Sequence, residues 1–409
     1  MLIGIDASRA VAKHKTGTEH YSEQIIYHIS KIDNKNQYIL FSESPPLKNS
    51  LIANLPKNFT WKIIPFGYLW TQLRLSWEMI KWKNKIDVLF VPAHTIPLIH
   101  PQKVVVTIHD LGFEYFPKLY AKKPIGPDNP IIKTIFNLGA RMITLGQFGN
   151  SEYDYHRWAM RHAVKNATKI ISISKFTKQD IINKYKAKSK DINIIYHGFD
   201  TKIHKPLKKS TNIKKSLHIT KKYKPYIYYI GRIERKKNIL NLLKAYILLK
   251  KNNQIPHKLV MAGMPGLGYN DIKQFINSLS PKLQKEIIQL GYTSSENAQY
   301  FMQNASVFAF PTLFEGFGMP ILEAYISEIP VVCSNTTACP EIAGKCAIKI
   351  NPHNANDIAR GILQTINLPK NTKRLIQCGK KRVKKFSWNE AAKRTLETII
   401  NSTNKNNLV

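Results

Sequence analysis

The feature that most restricts the fold is an alternation of short strand-like apolar runs with helical patterns, carried through twice along the chain. The first series opens with Leu2 to Asp6, passes through a polar loop holding Gly17 and enters an amphipathic stretch from Glu19 to Ile32. Strand-like runs follow at Gln37 to Ser42, Asp87 to Pro92, Lys103 to His109, Lys169 to Ser174 and Asp191 to Tyr196. The second series has such runs at Tyr226 to Gly231, Lys258 to Gly263, Ile287 to Gly291, Val307 to Pro311 and Val331 to Ser334. Helical patterns cover Asn238 to Lys251, Asp357 to Leu368 and a last stretch around Trp388 to Asn401. Strands that alternate with helices pack as parallel sheets covered on both faces, an α/β arrangement.

Between the two series, Thr201 to Pro225 loses its hydrophobic period and holds nine lysines and no acid. This puts a Rossmann-like N-terminal domain at 1–203, a second at 204–385, and a closing helix over 386–409 that is expected to cross back to the first. A chain of 409 residues suits two cores better than one. Ligands of doubly wound sheets bind at the carboxyl ends of the strands, so the substrate is expected between the domains.

The segment from Phe310 to Tyr325, FPTLFEGFGMPILEAY, carries the most chemistry. Proline suits the first turn of a helix, which starts the helix near Pro320, with Glu323 inside it and Glu315 in the loop before. Gly316 and Gly318 let backbone N–H groups come close to a ligand, and the helix N-terminus favours a phosphate. Two carboxylates accept hydrogen bonds from sugar or ribose hydroxyls. A loop-to-helix join also carries Gly, Pro and Glu simply as turn and cap residues. A second segment, GRIERKKN from Gly231 to Asn238, follows a strand and sets Arg232 and Lys237 where cations meet a diphosphate. Arg235 and Lys236 read as solvated charges.

FEGFGMPILEA resembles the E-x7-E signature of the retaining, GT-B-fold family 4 glycosyltransferases. TTACPEIAGKCAIKINP looks like that family's donor-side loop and GRIERKKN like its phosphate-binding strand end. In the first half, VVVTIHDLGF, ISISKFTKQDI and IIYHGFD resemble its segments around the acceptor region. The resemblance implies a GT-B fold of two facing Rossmann-like domains and transfer of a hexose, with a lean toward mannose, from a nucleotide sugar to a saccharide or lipid-linked acceptor. It implies that Glu315 contacts the hexose, Glu323 the ribose, and Arg232 with Lys237 the diphosphate. His109 would lie beside the transferred sugar, and Gly17 in the loop facing the phosphates, with Gly316, Phe317 and Gly318 completing the donor-binding set. From the residues alone, a strand-end histidine such as His109 is usually structural. The opening loop, KTGTEHYSEQ, holds one glycine where many relatives carry a second.

No D-x-D occurs, so no cofactor or metal is expected, and leaving-group charge falls to Arg232, Lys237 and the helix near Pro320. Cys333, Cys339, Cys346 and Cys378 have no C-x-x-C spacing and read as small core residues in a reducing compartment, not as a disulfide framework or metal site. A formal charge of +36 favours anionic partners, although codon bias in a lysine-, asparagine- and isoleucine-rich chain also produces it. The lysines lack aromatic interleaving, so nucleic acid is not expected as a partner. No G-x-G-x-x-G follows a strand, which removes dinucleotide oxidoreductases. An epimerase or phosphorylase on the same fold stays open. No apolar run spans a bilayer, and Asp6 interrupts any signal peptide, so a cytoplasmic location is expected. Pro130 to Phe148 has an apolar stripe beside basic residues and is expected to meet an anionic membrane surface, a partner or the core.

Overall fold

The computed structural model describes residues 1–65, 70–120, 151–200 and 222–403. The amphipathic stretch 130–148 and most of the lysine-rich segment lie outside them. Two compact units are present: Met1–Gly198 with Ser387–Val409, and Phe199–Phe386. The chain thus leaves the first unit a few residues before the expected 203 and re-enters it at the start of the last helix.

The first unit holds seven strands: β1 (Leu2–Asp6), β2 (Gln37–Ser42), β3 (Phe59–Ile63), β4 (Val88–Val91), β5 (Val104–Ile108), β6 (Lys169–Ser172) and β7 (Ile192–Ile194). They form one sheet in the order β3-β2-β1-β4-β5-β6-β7, and every pairing is parallel. Parallel sheets are covered on both faces, and β4 and β5 accordingly read VLFV and VVVTI with every residue buried. Helices α1 (Gly17–Ile32), α2 (Glu152–Asn166) and α3 (Lys175–Tyr185) belong to this unit. The N-cap of α1 is Thr16, whose backbone N–H is met by Glu19 in a capping box.

The second unit holds β8 (Tyr226–Ile230), β9 (Lys258–Ala262), β10 (Ile287–Gly291), β11 (Val307–Phe310), β12 (Val331–Ser334) and β13 (Ile348–Ile350). Their order, β10-β9-β8-β11-β12-β13, is again all parallel. Helices α4 (Ile239–Lys251), α5 (Ser295–Gln303), α6 (Met319–Ile326), α7 (Cys339–Ala343), α8 (Ala355–Asn367) and α9 (Pro369–Val383) cover it. The final helix, α10 (Trp388–Thr403), packs on α1 and against β4, β5 and β6 of the first sheet.

Cys346 and Cys378 form a disulfide, with their Cα atoms 5.1 Å apart, while Cys333 and Cys339 are buried and free. This corrects the reading of all four as free core cysteines. The two partners are 32 residues apart, and what joins them is the packing of α9 beside the loop that leads into β13. Local spacing carries no trace of that contact.

Candidate active site

Both sheets reverse their strand order beside their first strand, between β1 and β4 in one and between β8 and β11 in the other. A doubly wound sheet opens a crevice at such a point, at the carboxyl ends of its strands. In the second unit those ends are Gly231-Arg232 after β8 and the Pro311 to Gly318 loop after β11.

The central contact there joins the two loops. Lys237 Nζ donates to Glu315 Oε1, and the two side chains are only 16% and 15% exposed. Thr312 Oγ1 lies 3.3 Å from the same carboxylate oxygen, and Thr337 Oγ1 accepts from the Glu315 N–H at 3.2 Å. Asn238, in the left-handed region at φ 63°, donates through Nδ2 to Pro311 O at 2.9 Å and Pro352 O at 2.6 Å. The Leu313 N–H also reaches Lys236 O at 2.9 Å. The loop bearing Lys237 is therefore tied at several points to the loop bearing Glu315, so the ammonium and carboxylate are held before any ligand arrives.

Arg232 is exposed at the end of β8, its carbonyl taking the Tyr229 hydroxyl at 3.1 Å. It shares the strand end with Lys237 but does not join the Lys237–Glu315 contact among the described bonds. Gly318 caps α6 at φ 104°, a conformation that favours glycine, and its neighbour Gly316 is also in the loop. Phe317 is buried with its ring 5.7 Å from Phe386, edge to face. What Phe317 can offer a ligand is its backbone.

Glu323, in α6, is half-buried and lines a cavity of about 160 Å³ with Thr293, Ser295, Gln299 and Ser327. Burial pushes its carboxyl from 4.5 up to about 7. The folded chain therefore holds a proton there more firmly than the unfolded chain. Its contribution to stability is best below about pH 4.5, declines as the pH rises, and reaches its full penalty above about 7. Glu323→Gln removes that penalty. The gain in melting temperature over the wild type is expected to grow between pH 5 and pH 8, and a gain that does not change with pH would contradict the raised carboxyl.

In the first unit, Gly17 is the first residue of α1, and a Cβ placed there meets nothing within 4 Å. This leaves the helix N-terminus open. His109, just past β5, holds Pro92 O at 3.0 Å from Nε2, and Tyr21 packs edge-on against its ring at 4.8 Å. Tyr21 in turn stacks on His197 at 4.8 Å, and His197 on Trp388 at 6.0 Å, so the last helix supports this wall. Burial holds the His109 imidazole below the usual histidine range, and the bond to a carbonyl puts the proton on Nε2. A neutral ring with Nδ1 as its acceptor nitrogen suits contact with a hydroxyl. Beside it, the crevice between β1 and β4 forms a cavity of about 340 Å³ lined by Asp6, Arg9, Glu43, Thr71, Thr95 and Tyr155.

Sequence reasoning missed Thr312, Thr337 and Asn238, and also the polar lining around Glu323 and Asp6. An aspartate ending an apolar strand, and an asparagine closing the GRIERKKN turn, were the available signals. Among the described residues no group of three His, Cys, Asp or Glu side chains converges as a metal ligand set, and no helix is long and apolar enough to cross a membrane.

With this geometry in place, comparison with known proteins is decisive: residues 17–203 match the family described as Glycosyltransferase Family 4, and residues 209–382 that described as Glycosyl transferases group 1. The chain belongs to the group 1, family 4 glycosyltransferases. Over 171 residues it is 33% identical to the O-antigen chain mannosyltransferase B of Escherichia coli, a match covering 42% of this chain and 44% of that one. Over 301 residues it is 23% identical to the O-antigen chain mannosyltransferase RfbU of Salmonella typhimurium, covering 73% and 69%. The matches span about half the length of the curated relatives that head the comparison. The GT-B fold is shared with Anabaena HepE, solved in complex with UDP, at a TM-score of 0.66 and 15% identity over 98% of this chain and 99% of that one. In this glycosyltransferase chain, Gly17 and His109 fall in the family 4 segment, and Arg232, Lys237, Glu315 and Glu323 in the group 1 segment.

Proposed function

We propose that the chain is a hexosyltransferase that moves mannose from a nucleotide-diphosphate sugar to a saccharide or lipid-linked acceptor, with retention and without a metal. The observation that carries this reading is the Lys237–Glu315 pair at the carboxyl ends of β8 and β11, where a cation and a carboxylate are held side by side. The mannosyltransferase names of the relatives support the choice of sugar, and the UDP in HepE supports a nucleoside diphosphate.

On this reading Glu315 accepts hydrogen bonds from hexose hydroxyls, and Glu323, in its ionised form, from the ribose. Lys237, Arg232 and the N–H groups at the start of α6 take up charge as the bond from the sugar C1 to the diphosphate breaks. The acceptor hydroxyl attacks C1 on the face the diphosphate leaves. Its proton passes to the departing diphosphate oxygen, which balances the step and needs no enzyme nucleophile. His109 orients the hexose through Nδ1.

Because side-chain cations take the place of a metal, EDTA is expected to leave the transfer rate unchanged. The anomeric configuration of the glycoside formed, read by NMR, is expected to match that of the donor. Loss of activity with EDTA that magnesium or manganese restores, or an inverted product, contradicts this mechanism.

A further inference from the structure

The first unit carries a second concavity, of about 710 Å³, at the other end of its sheet from the β1–β4 crevice. It lies between α2 and α3, beside Ala167 and Asp191, which precede β6 and β7. Six cations line it: Arg157, Arg161, Lys165, Lys184, Lys186 and Lys188.

Among the described residues two acids, Glu114 and Asp191, are in the lining and both are already engaged, while Asp180 acts on Lys184 from outside it. Glu114 Oε1 accepts from Arg157 Nε at 3.1 Å and from the Tyr185 hydroxyl at 2.6 Å, while Asp191 accepts from Lys169 Nζ at 3.0 Å. Lys184 sits 4.4 Å over the Tyr115 ring. Among the described residues, Arg161, Lys165, Lys186 and Lys188 make no ion pair, and all four are exposed along the rim. Like charges converging on one hollow repel one another, and a bound anion relieves that repulsion.

We propose that this groove is a binding site for an organic phosphate, either free or displayed as the headgroup of an acidic lipid. Cations approach from two helices and from the 186–188 turn, so they can meet several oxygens of one group, and the guanidinium forks of Arg157 and Arg161 match phosphate geometry. The floor holds Ile170, 2% exposed, and Ala187, 9% exposed, which suits the apolar stem of such a molecule. Single-stranded nucleic acid fits poorly, because binding it needs aromatic stacking platforms and the one aromatic ring in the lining, Tyr185, is tied to Glu114. The inference is independent of the proposed transfer reaction.

The test compares the full chain with the triple variant Arg161→Glu, Lys165→Glu, Lys188→Glu, and with a control triple on exposed lysines of the second unit, Lys273→Glu, Lys282→Glu, Lys285→Glu. One arm measures co-sedimentation with vesicles of equal parts phosphatidylcholine and phosphatidylglycerol. The other titrates inorganic pyrophosphate calorimetrically in a Lys237→Ala background, which weakens the proposed donor site, so that the difference between the two triples reads the groove. Binding in either arm is expected to fall roughly a hundredfold in the groove triple, at about tenfold or less per charge removed, and to change far less in the control. The arm that shows this identifies the source of the phosphate. Absence of binding in both arms, or equal loss in the two triples, overturns the proposal.

Discussion

Glu315→Gln is expected to lower turnover by roughly thirty- to several-hundred-fold, on the order of 2 to 4 kcal/mol of transition-state stabilisation, while leaving the fold intact. The amide keeps the shape of the side chain and an oxygen for Lys237, so the loop can stay tied through Thr312, Thr337 and Asn238. What disappears is a negative charge that is largely closed to water and that the proposed function sets beside the carbon that becomes electron-poor. Both partners of the ion pair are mostly buried, so little solvent screens that charge. The check is steady-state kinetics with a parallel thermal melt. Near-normal turnover in a folded variant removes Glu315 from the site, and lost turnover with lost melting cooperativity makes its role structural.

Gly263→Ala should have the largest effect on stability, more than about 4 kcal/mol, enough to unfold the second unit. Gly263 follows β9 at φ 144°, and a Cβ there would stand 1.9 Å from the Gly231 carbonyl oxygen. Two backbones touch at this point, so no side chain can turn aside to make room. The Gly263 N–H donates to Gly291 O at 2.8 Å and Gly231 N–H to Ala262 O at 3.0 Å, which holds both segments in place. The strained segment is also the strand end that presents Arg232, so a folded remnant should lose donor binding as well. Chemical denaturation of the purified variant decides it, and a midpoint near that of the wild type would contradict the close approach.

Much of the architecture was legible because burial on both faces gives parallel strands continuous apolar runs, as in β5 and β12. The strands not expected were β3 and β13, each at a sheet edge. β3 reads FTWKI with alternating exposure, and β13 is three residues with a lysine at its centre, so neither has a strong apolar signal. The site was legible as a set of residue types, not as a set of contacts. Lys237 and Glu315 are 78 residues apart, and only the adjacency of β8 and β11 makes them partners, so the sequence assigned each to a ligand and neither to the other. The ring of Phe317 escaped for the same reason, since its burial depends on Phe386, beyond the motif. The disulfide between Cys346 and Cys378 is a third case of a contact made by topology alone.

On the proposed function, a nucleotide-sugar donor is cleaved at the Lys237–Glu315 site. The most direct measurement is release of nucleoside diphosphate from a panel of nucleotide sugars that includes the mannose donors, run with the wild type, Glu315→Gln and Lys237→Ala. Release from a mannose nucleotide by the wild type is expected, strongly reduced in both variants while their melting curves stay cooperative. No release from any member of the panel, or release undiminished in the two variants, would contradict it.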